Sequence, residues 1–382
     1  MRSKSSILCG WLAALLIAFL PSHSRAATDT GNWSDEFFLK DMNNLIYALT
    51  TDASGNLYAG GTFTTVSGVA VNYIAKWDGS VWTPLGSGMN DTVYALATDA
   101  SGNLYAGGTF TTAGGVTANR IAKWDGTAWT ALGSGMNNRV SALTTDASGN
   151  LYAGGTFTTA GGVTVNRIAK WDGTAWTALS SGMNNSVSAL TTDASGNLYA
   201  GGNFFVAGGA SITYIAKWDG STWAALGSGT NGLVYALTTD ASGNLYAGGN
   251  FSVAGGITTP RIAKWDGTAW SALGSGMDNS VRVLTVDASG TLYAGGGFVT
   301  AGGVTANGIA QWDGATWSAL DSGMNNAVYA LATDASGNLY AGGEFTTAGG
   351  TPANRIAKWD GTAWTALGSG MNLRVSALAT DA

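Results

Sequence analysis

Apolar and polar positions alternate in short runs from Leu45 onward, and no stretch of that region carries the three-to-four-residue spacing of a helix. One copy of the pattern, Arg139–Asn185, reads RVSALTTDASGNLYAGGTFTTAGGVTVNRIAKWDGTAWTALSSGMNN. Its β-prone runs are cut by Asp-Ala-Ser-Gly, Gly-Gly and Asp-Gly, which are residues that turn a hairpin. Four strands follow: Val140–Thr145, Asn150 to about Thr158, about Val165–Trp171, and Ala175–Leu179. The pattern then repeats without slipping, since Asp52, Asp99, Asp146, Asp193, Asp240, Asp287, Asp334 and Asp381 stand 47 residues apart. A four-stranded antiparallel unit of this length, copied with no insertion, predicts an all-β seven-bladed β-propeller. A β-helix with two coils per repeat is the rival architecture, but it has no use for regularly spaced tight turns.

The period also sets the organisation of the chain. Seven units fill residues 45–373, and 374–382 opens an eighth with a second copy of the first strand. That copy either closes the first blade in competition with Ile46–Thr51 or begins a truncated repeat. Residues 1–26 read as an export signal: Arg2 and Lys4 precede the apolar run Ile7–Leu20, and Ser24-Arg25-Ala26 offers a cleavage point before Ala27. Residues 27–44 form an N-terminal cap or linker, with Trp33–Phe37 out of register with the repeat. The expected location is the exterior, the periplasm or the cell surface.

Composition changes the picture by what it removes. The only cysteine, Cys9, and the only histidine, His23, lie in the signal, so the mature chain has neither. Serine–histidine and cysteine–histidine nucleophiles, thiolate chemistry and the usual zinc and copper ligands are thereby excluded. No cofactor or metal is expected. Loss of Arg2, Lys4 and Arg25 leaves 14 basic against 23 acidic residues, a net charge of −9, which disfavours a nucleic-acid partner. Each Asp-Ala-Ser-Gly-Asn offers one carboxylate, better explained as a tight turn than as a calcium loop.

Each unit carries two tryptophans five residues apart, Trp77/Trp82 through Trp359/Trp364. Across an Asp-Gly hairpin both indoles leave one face of the sheet, where they are expected to pack between blades. The Gly-Gly doublet after Leu-Tyr-Ala is expected to admit a neighbouring backbone or indole, and the second doublet, as at Gly161-Gly162, to be a hairpin tip.

At Asn-Leu-Tyr-Ala-Gly-Gly-x-Phe, Ile-Ala-Lys-Trp-Asp-Gly and Ala-Trp-Thr-Ala-Leu-Gly the unit resembles kelch-like propellers. It is more similar still to the glycine-rich repeats of secreted bacterial proteins and of the fungal cortical cell-polarity marker family. In kelch repeats the diglycine, the third-strand aromatic and the fourth-strand tryptophan are structural; here they would be Gly154-Gly155, Trp171 and Trp176, so the resemblance implies a fold and no active site. Enzymes on similar scaffolds need groups that are missing or scattered. A galactose-oxidase-like copper site needs histidines and a cysteine. A sialidase-like site needs an arginine cluster with a tyrosine–glutamate pair, whereas Arg120, Arg167 and Arg355 occupy one position in different blades and the only glutamates are Glu36 and Glu344.

Differences between copies locate a candidate face. The turns after the first and third strands are nearly uniform, with Thr291 the one change in Asp-Ala-Ser-Gly-Asn. The opposite face varies, and at the start of the inner strands it places the candidate ligand-binding residues Tyr94, Arg139, Tyr235, Arg282, Tyr329 and Arg374 around one mouth of the channel. The expected function is a monomeric, non-catalytic binding or surface-structural module that recognises a secreted protein or a glycan. The alternative is a hydrolase or lyase acting through Asp and Tyr.

Overall fold

A computed structural model describes residues 42–378 apart from 67, 79–80, 335, 368–369 and 372. The export signal and the Trp33–Phe37 cap lie outside the described residues. The first blade holds β1 (Ile46–Thr51), β2 (Leu57–Gly61), β3 (Thr65–Val66), β4 (Val69–Ala70), β5 (Ile74–Trp77) and β6 (Trp82–Pro84). Strands β1, β2, β5 and β6 make one antiparallel sheet in that order, and β3 and β4 make a two-stranded hairpin. Six further blades repeat this arrangement.

The strands follow from local chemistry. In the third blade the first strand is Val140–Thr145, as the alternation predicts, while the second stops at Gly155 and the third starts at Ile168. Between them the sequence Thr-Thr-Ala-Gly-Gly-Val-Thr folds into the extra hairpin, whose tip glycines Gly161 and Gly162 take φ of 57° and 84°. Positive φ costs glycine nothing and strains a residue bearing Cβ. The second and third strands are therefore shorter than the pattern predicts, without 156–158 and 165–167, while the doublet forms the hairpin tip expected of it. Asp146 closes the first turn: its Oδ1 accepts the N–H groups of Ser148 and Asn150, and its Oδ2 accepts Asn150 Nδ2 and the Tyr152 hydroxyl.

Adhesion between blades uses both tryptophans. Trp171 and Trp176 lie 5.4 Å apart at 51°, and the buried Trp176 donates its Nε1 to the Leu132 carbonyl of the preceding blade at 2.9 Å. The same bond recurs from Trp129 to Leu85 and from Trp364 to Leu320. The first glycine doublet meets different neighbours than an indole. A Cβ on Gly154 would stand 2.6 Å from Val187 Cγ1 of the next blade, and one on Gly155 only 2.1 Å from the Arg139 carbonyl. The indole comes instead to the second doublet, with Trp176 Cδ1 3.0 Å from a Cβ built on Gly161. Along the channel the threonine hydroxyls add a belt: Thr98 donates to the Thr51 carbonyl, Thr145 to Thr98 and Thr192 to Thr145, at 2.9 to 3.2 Å.

The ring closes through both copies of the repeated segment. Tyr340, Ile356 and Leu367 of the seventh blade share a core with Met42, Ile46, Leu57 and Trp77 of the first, as Tyr58, Ile74 and Leu85 do with Met89, Val93 and Leu104 of the second. Ile46–Thr51 supplies the inner strand of the first blade, paired to Leu57–Gly61. Val375 does not displace it. It bridges Ile46 in parallel and packs on Gly342, where a Cβ would lie 2.5 Å from Val375 Cγ1, the spacing that Gly60 has to Val93. One valine elsewhere both pairs within its blade and fills the diglycine socket of the blade before it; at the seam Ile46 performs the first task and Val375 the second. The seam leaves one loose end, because Trp82 Nε1 is buried without a hydrogen-bond partner among the described residues.

Candidate functional site

The six candidate residues gather into three stacks, each spanning two neighbouring inner strands. The Arg139 guanidinium carbon lies 5.3 Å from the Tyr94 ring centre, Arg282 lies 4.7 Å from Tyr235, and Arg374 lies 4.8 Å from Tyr329. A cation within about 6 Å of a ring face is attracted by its quadrupole, by about 0.5–1 kcal/mol at an exposed site. The register makes the stacks: the tyrosine sits two residues into the inner strand of one blade, and the arginine of Arg139 and Arg374 type stands at the entry to the next. There the guanidinium also donates Nε to a serine two residues on, Arg139 to Ser141 at 3.0 Å and Arg374 to Ser376 at 2.9 Å.

The stacks are not equivalent. Arg139 and Arg282 are exposed, and among the described residues their terminal N–H groups make no hydrogen bond. Arg374 is half-buried and forms an ion pair with Glu344 at 3.3 Å, which ties the closing segment to the seventh blade. Tyr47, absent from the candidates, extends the aromatic row, with its ring 5.1 Å from that of Tyr94. The signal for it was present, since Tyr47 precedes Tyr94 by one period.

The opposite face is chemically occupied. Burial would raise the carboxyl of Asp146, but the hydrogen bonds of Asn150, Tyr152 and Ser148 outweigh it and hold the group below its usual range. Burial, with the facing Asp240 and Asp287 carboxylates, pushes the Tyr246 and Tyr293 hydroxyls up to about 12. At the outer turn Asp172 accepts the N–H groups of Thr174 and Ala175 and the Thr174 hydroxyl, which lowers it to about 2. Lys170 Nζ lies over the Tyr152 ring at 5.9 Å. No group of three or more acidic, histidine or cysteine side chains placed to hold a metal occurs among the described residues. No helix among them is long and apolar enough to cross a membrane.

No curated protein matches the chain. Among solved structures, the WD40 β-propeller domain of Doa1 is similar at 11% identity and a TM-score of 0.51, over 78% of this chain and 90% of that one. PorZ, a bacterial surface component of the type-IX secretion system of Porphyromonas gingivalis, is similar at 15% identity and a TM-score of 0.52, over 83% of this chain and 46% of that one. The extracellular domain of the putative one-component system BT4673 of B. thetaiotaomicron aligns at 14% identity and a TM-score of 0.45, over 84% of this chain and 40% of that one. The chain thus spans less than half the length of these two bacterial proteins. At such identities the likeness is one of fold. Residues 80–233 match the profile of the Rax2 C-terminal beta propeller domain, and with seven four-stranded blades around one ring the chain is a seven-bladed β-propeller with repeats similar to that family.

Proposed function

We propose that this chain is an exported, non-catalytic binding module that holds a protein or a glycan on the face bearing Tyr94, Arg139, Tyr235, Arg282 and Tyr329. The observation that carries the reading is the state of Arg139 and Arg282. Each guanidinium is fixed on a tyrosine ring yet keeps terminal N–H groups open at the mouth of the channel. A planar cation held in place by stacking loses little freedom on binding and can donate to sugar hydroxyls, carboxylates or peptide carbonyls. Arg374 serves the seam through Glu344 and is not part of the proposed surface. Export rests on residues 1–26.

Two features weigh against the hydrolase or lyase reading. Acid–base catalysis needs a group whose affinity for the proton lies near the working pH. The Asp146–Tyr152 type of pair offers a carboxylate held ionised and a hydroxyl pushed upward. Near-identical blades also present one group many times, where a catalytic centre joins unlike groups at one point.

The test is a screen of glycans and secreted proteins against the mature chain, followed by the variant Arg139→Ala/Arg282→Ala/Tyr329→Ala. Binding is expected to weaken at least tenfold while the melting temperature moves by a few degrees or less, as for surface substitutions. Unchanged affinity in that variant, with loss on altering Asp125 and Asp172, places the site on the other face and overturns the proposal.

A further inference from the structure

The sixth blade lacks a side chain that the other six possess. At the entry to the third strand the blades carry Tyr73, Arg120, Arg167, Tyr214, Arg261, Gly308 and Arg355 in order. All seven share one left-handed backbone, with φ from 64° to 71° at the six side-chain-bearing residues and 79° at Gly308. The glycine therefore keeps the backbone geometry of the four arginines and two tyrosines and omits the whole side chain. Just after the first doublet a second omission falls in the same blade: Thr62, Thr109, Thr156, Asn203, Asn250 and Glu344 have Gly297 as their counterpart. The two glycines line one cavity of about 470 Å³, together with Val299, Asn307, Met324 and Asn326.

What the missing group does elsewhere is visible. Arg120 donates its Nη1 to the Met136 carbonyl at 3.4 Å and Arg355 to the Met371 carbonyl at 3.2 Å. The counterpart of those methionines is Met324, whose Cβ would lie 3.7 Å from a Cβ on Gly308, with the Asn326 carbonyl at 3.2 Å and the Gly296 carbonyl at 3.5 Å. The cavity thus opens onto backbone carbonyls, which accept and cannot donate. Among its lining amides, Asn307 Nδ2 donates to the Ser322 carbonyl, Asn325 Oδ1 accepts the Thr346 and Thr347 N–H groups, and Asn326 Oδ1 accepts the Ala327 N–H. The cavity has no charged side chain in its lining, and the chain as a whole carries a net charge of −6. A donor-rich cation fits this surface better than an anion. Val299, 53% exposed at the rim, gives the aliphatic stem of an arginine something to lie on.

We propose that this cavity receives an arginine side chain from a partner polypeptide, seated where Arg120 and Arg355 sit in their own blades. The volume exceeds that of one side chain because two residues are trimmed, and the excess accommodates the flanking backbone of the partner. The proposal uses none of the channel-mouth stacks, so either reading can fail alone.

The test uses the mature chain and the peptides acetyl-Gly-Xaa-Gly-amide with Xaa as arginine, lysine, citrulline or tyrosine, followed by backbone amide shifts. The arginine peptide is expected to produce saturable shifts at Gly297, Gly308 and Asn326, with at least fivefold weaker binding for the other three. Gly308→Arg supplies the group in cis and should abolish the shifts at Gly297 and Asn326 while leaving the fold intact, since the φ is one that arginine already adopts four times in this chain. Gly297→Thr, the residue of the first three blades, is the second variant and should weaken binding at least fivefold. Equal binding of the lysine or tyrosine peptide, undiminished binding in both variants, or saturation by a neutral pyranose and not by the arginine peptide overturns the proposal.

Discussion

Replacing Trp176 by phenylalanine tests the bond that joins successive blades, and the molecule supplies its own control. Trp176 Nε1 donates to the Leu132 carbonyl at 2.9 Å in a buried setting, whereas Trp82, at the same place in the first blade, is buried with its Nε1 unpaired among the described residues. Trimming indole to phenyl removes about 40 Å² of apolar surface in either case, or about 1 kcal/mol at 25 cal/mol per Å². Trp176→Phe also deletes a hydrogen bond and leaves a buried carbonyl short of its donor, a further cost of about 1–3 kcal/mol. The expected losses are therefore about 2–4 kcal/mol for Trp176→Phe and about 1 kcal/mol for Trp82→Phe. Trp129→Phe, which loses the 2.8 Å bond to Leu85, should match Trp176→Phe. Urea unfolding followed by circular dichroism and by fluorescence reads the difference as a shift of midpoint at constant slope, with coincident curves as the condition for comparing free energies. Equal losses at Trp82 and Trp176, or a larger one at Trp82, would refute the idea that the indole bond is broken only at the seam.

Four further outcomes follow from the geometry. Gly155→Ala, which drives a methyl against the Arg139 carbonyl, should destabilise by about 3 kcal/mol or more, while Gly149→Ala, with open space around it and a φ of 81°, should cost about 1–2 kcal/mol; equal midpoints in urea would contradict this. Asp125, Asp172, Asp266 and Asp360 are drawn by turn hydrogen bonds from the usual 3.8 down to about 2. The unfolded chain binds those protons first, so their stabilisation is complete above about pH 4 and is lost as pH falls from about 4 to about 2, and a melting temperature that stays flat across that window would contradict it. Deleting residues 374–382 removes Val375, 1% exposed, from its glycine socket and should cost about 1.5–3 kcal/mol, yet leave a folded monomer because Ile46–Thr51 retains its pairing; unfolding on that deletion would make the C-terminal copy the true closing strand. The intact mass of exported protein should correspond to a chain beginning at Ala27.

The sequence by itself determined the blade and its multiplicity. Strand alternation, Asp-Gly and Gly-Gly turns and a fixed period are local properties: Val140–Thr145 is a strand and Gly161-Gly162 a tip because the backbone preferences of those residues require it. The period also carries the ring of candidate residues, since any position repeated every 47 residues must recur at one radius and height. Tertiary structure decided what meets across blades. Tyr94 and Tyr329 take the arginines two residues before their own equivalents Ser141 and Ser376, whereas Tyr235 takes its equivalent Arg282, and six residues chosen singly become three stacks. The seam shows the same limit. Two equivalent segments read as rivals for one strand, but a closed ring has two half-sites there, a pairing edge on the first blade and a valine socket on the seventh, and each copy fills one. The cavity of the sixth blade was written in Gly297 and Gly308, yet their meeting depends on a loop and a strand end that only packing brings together.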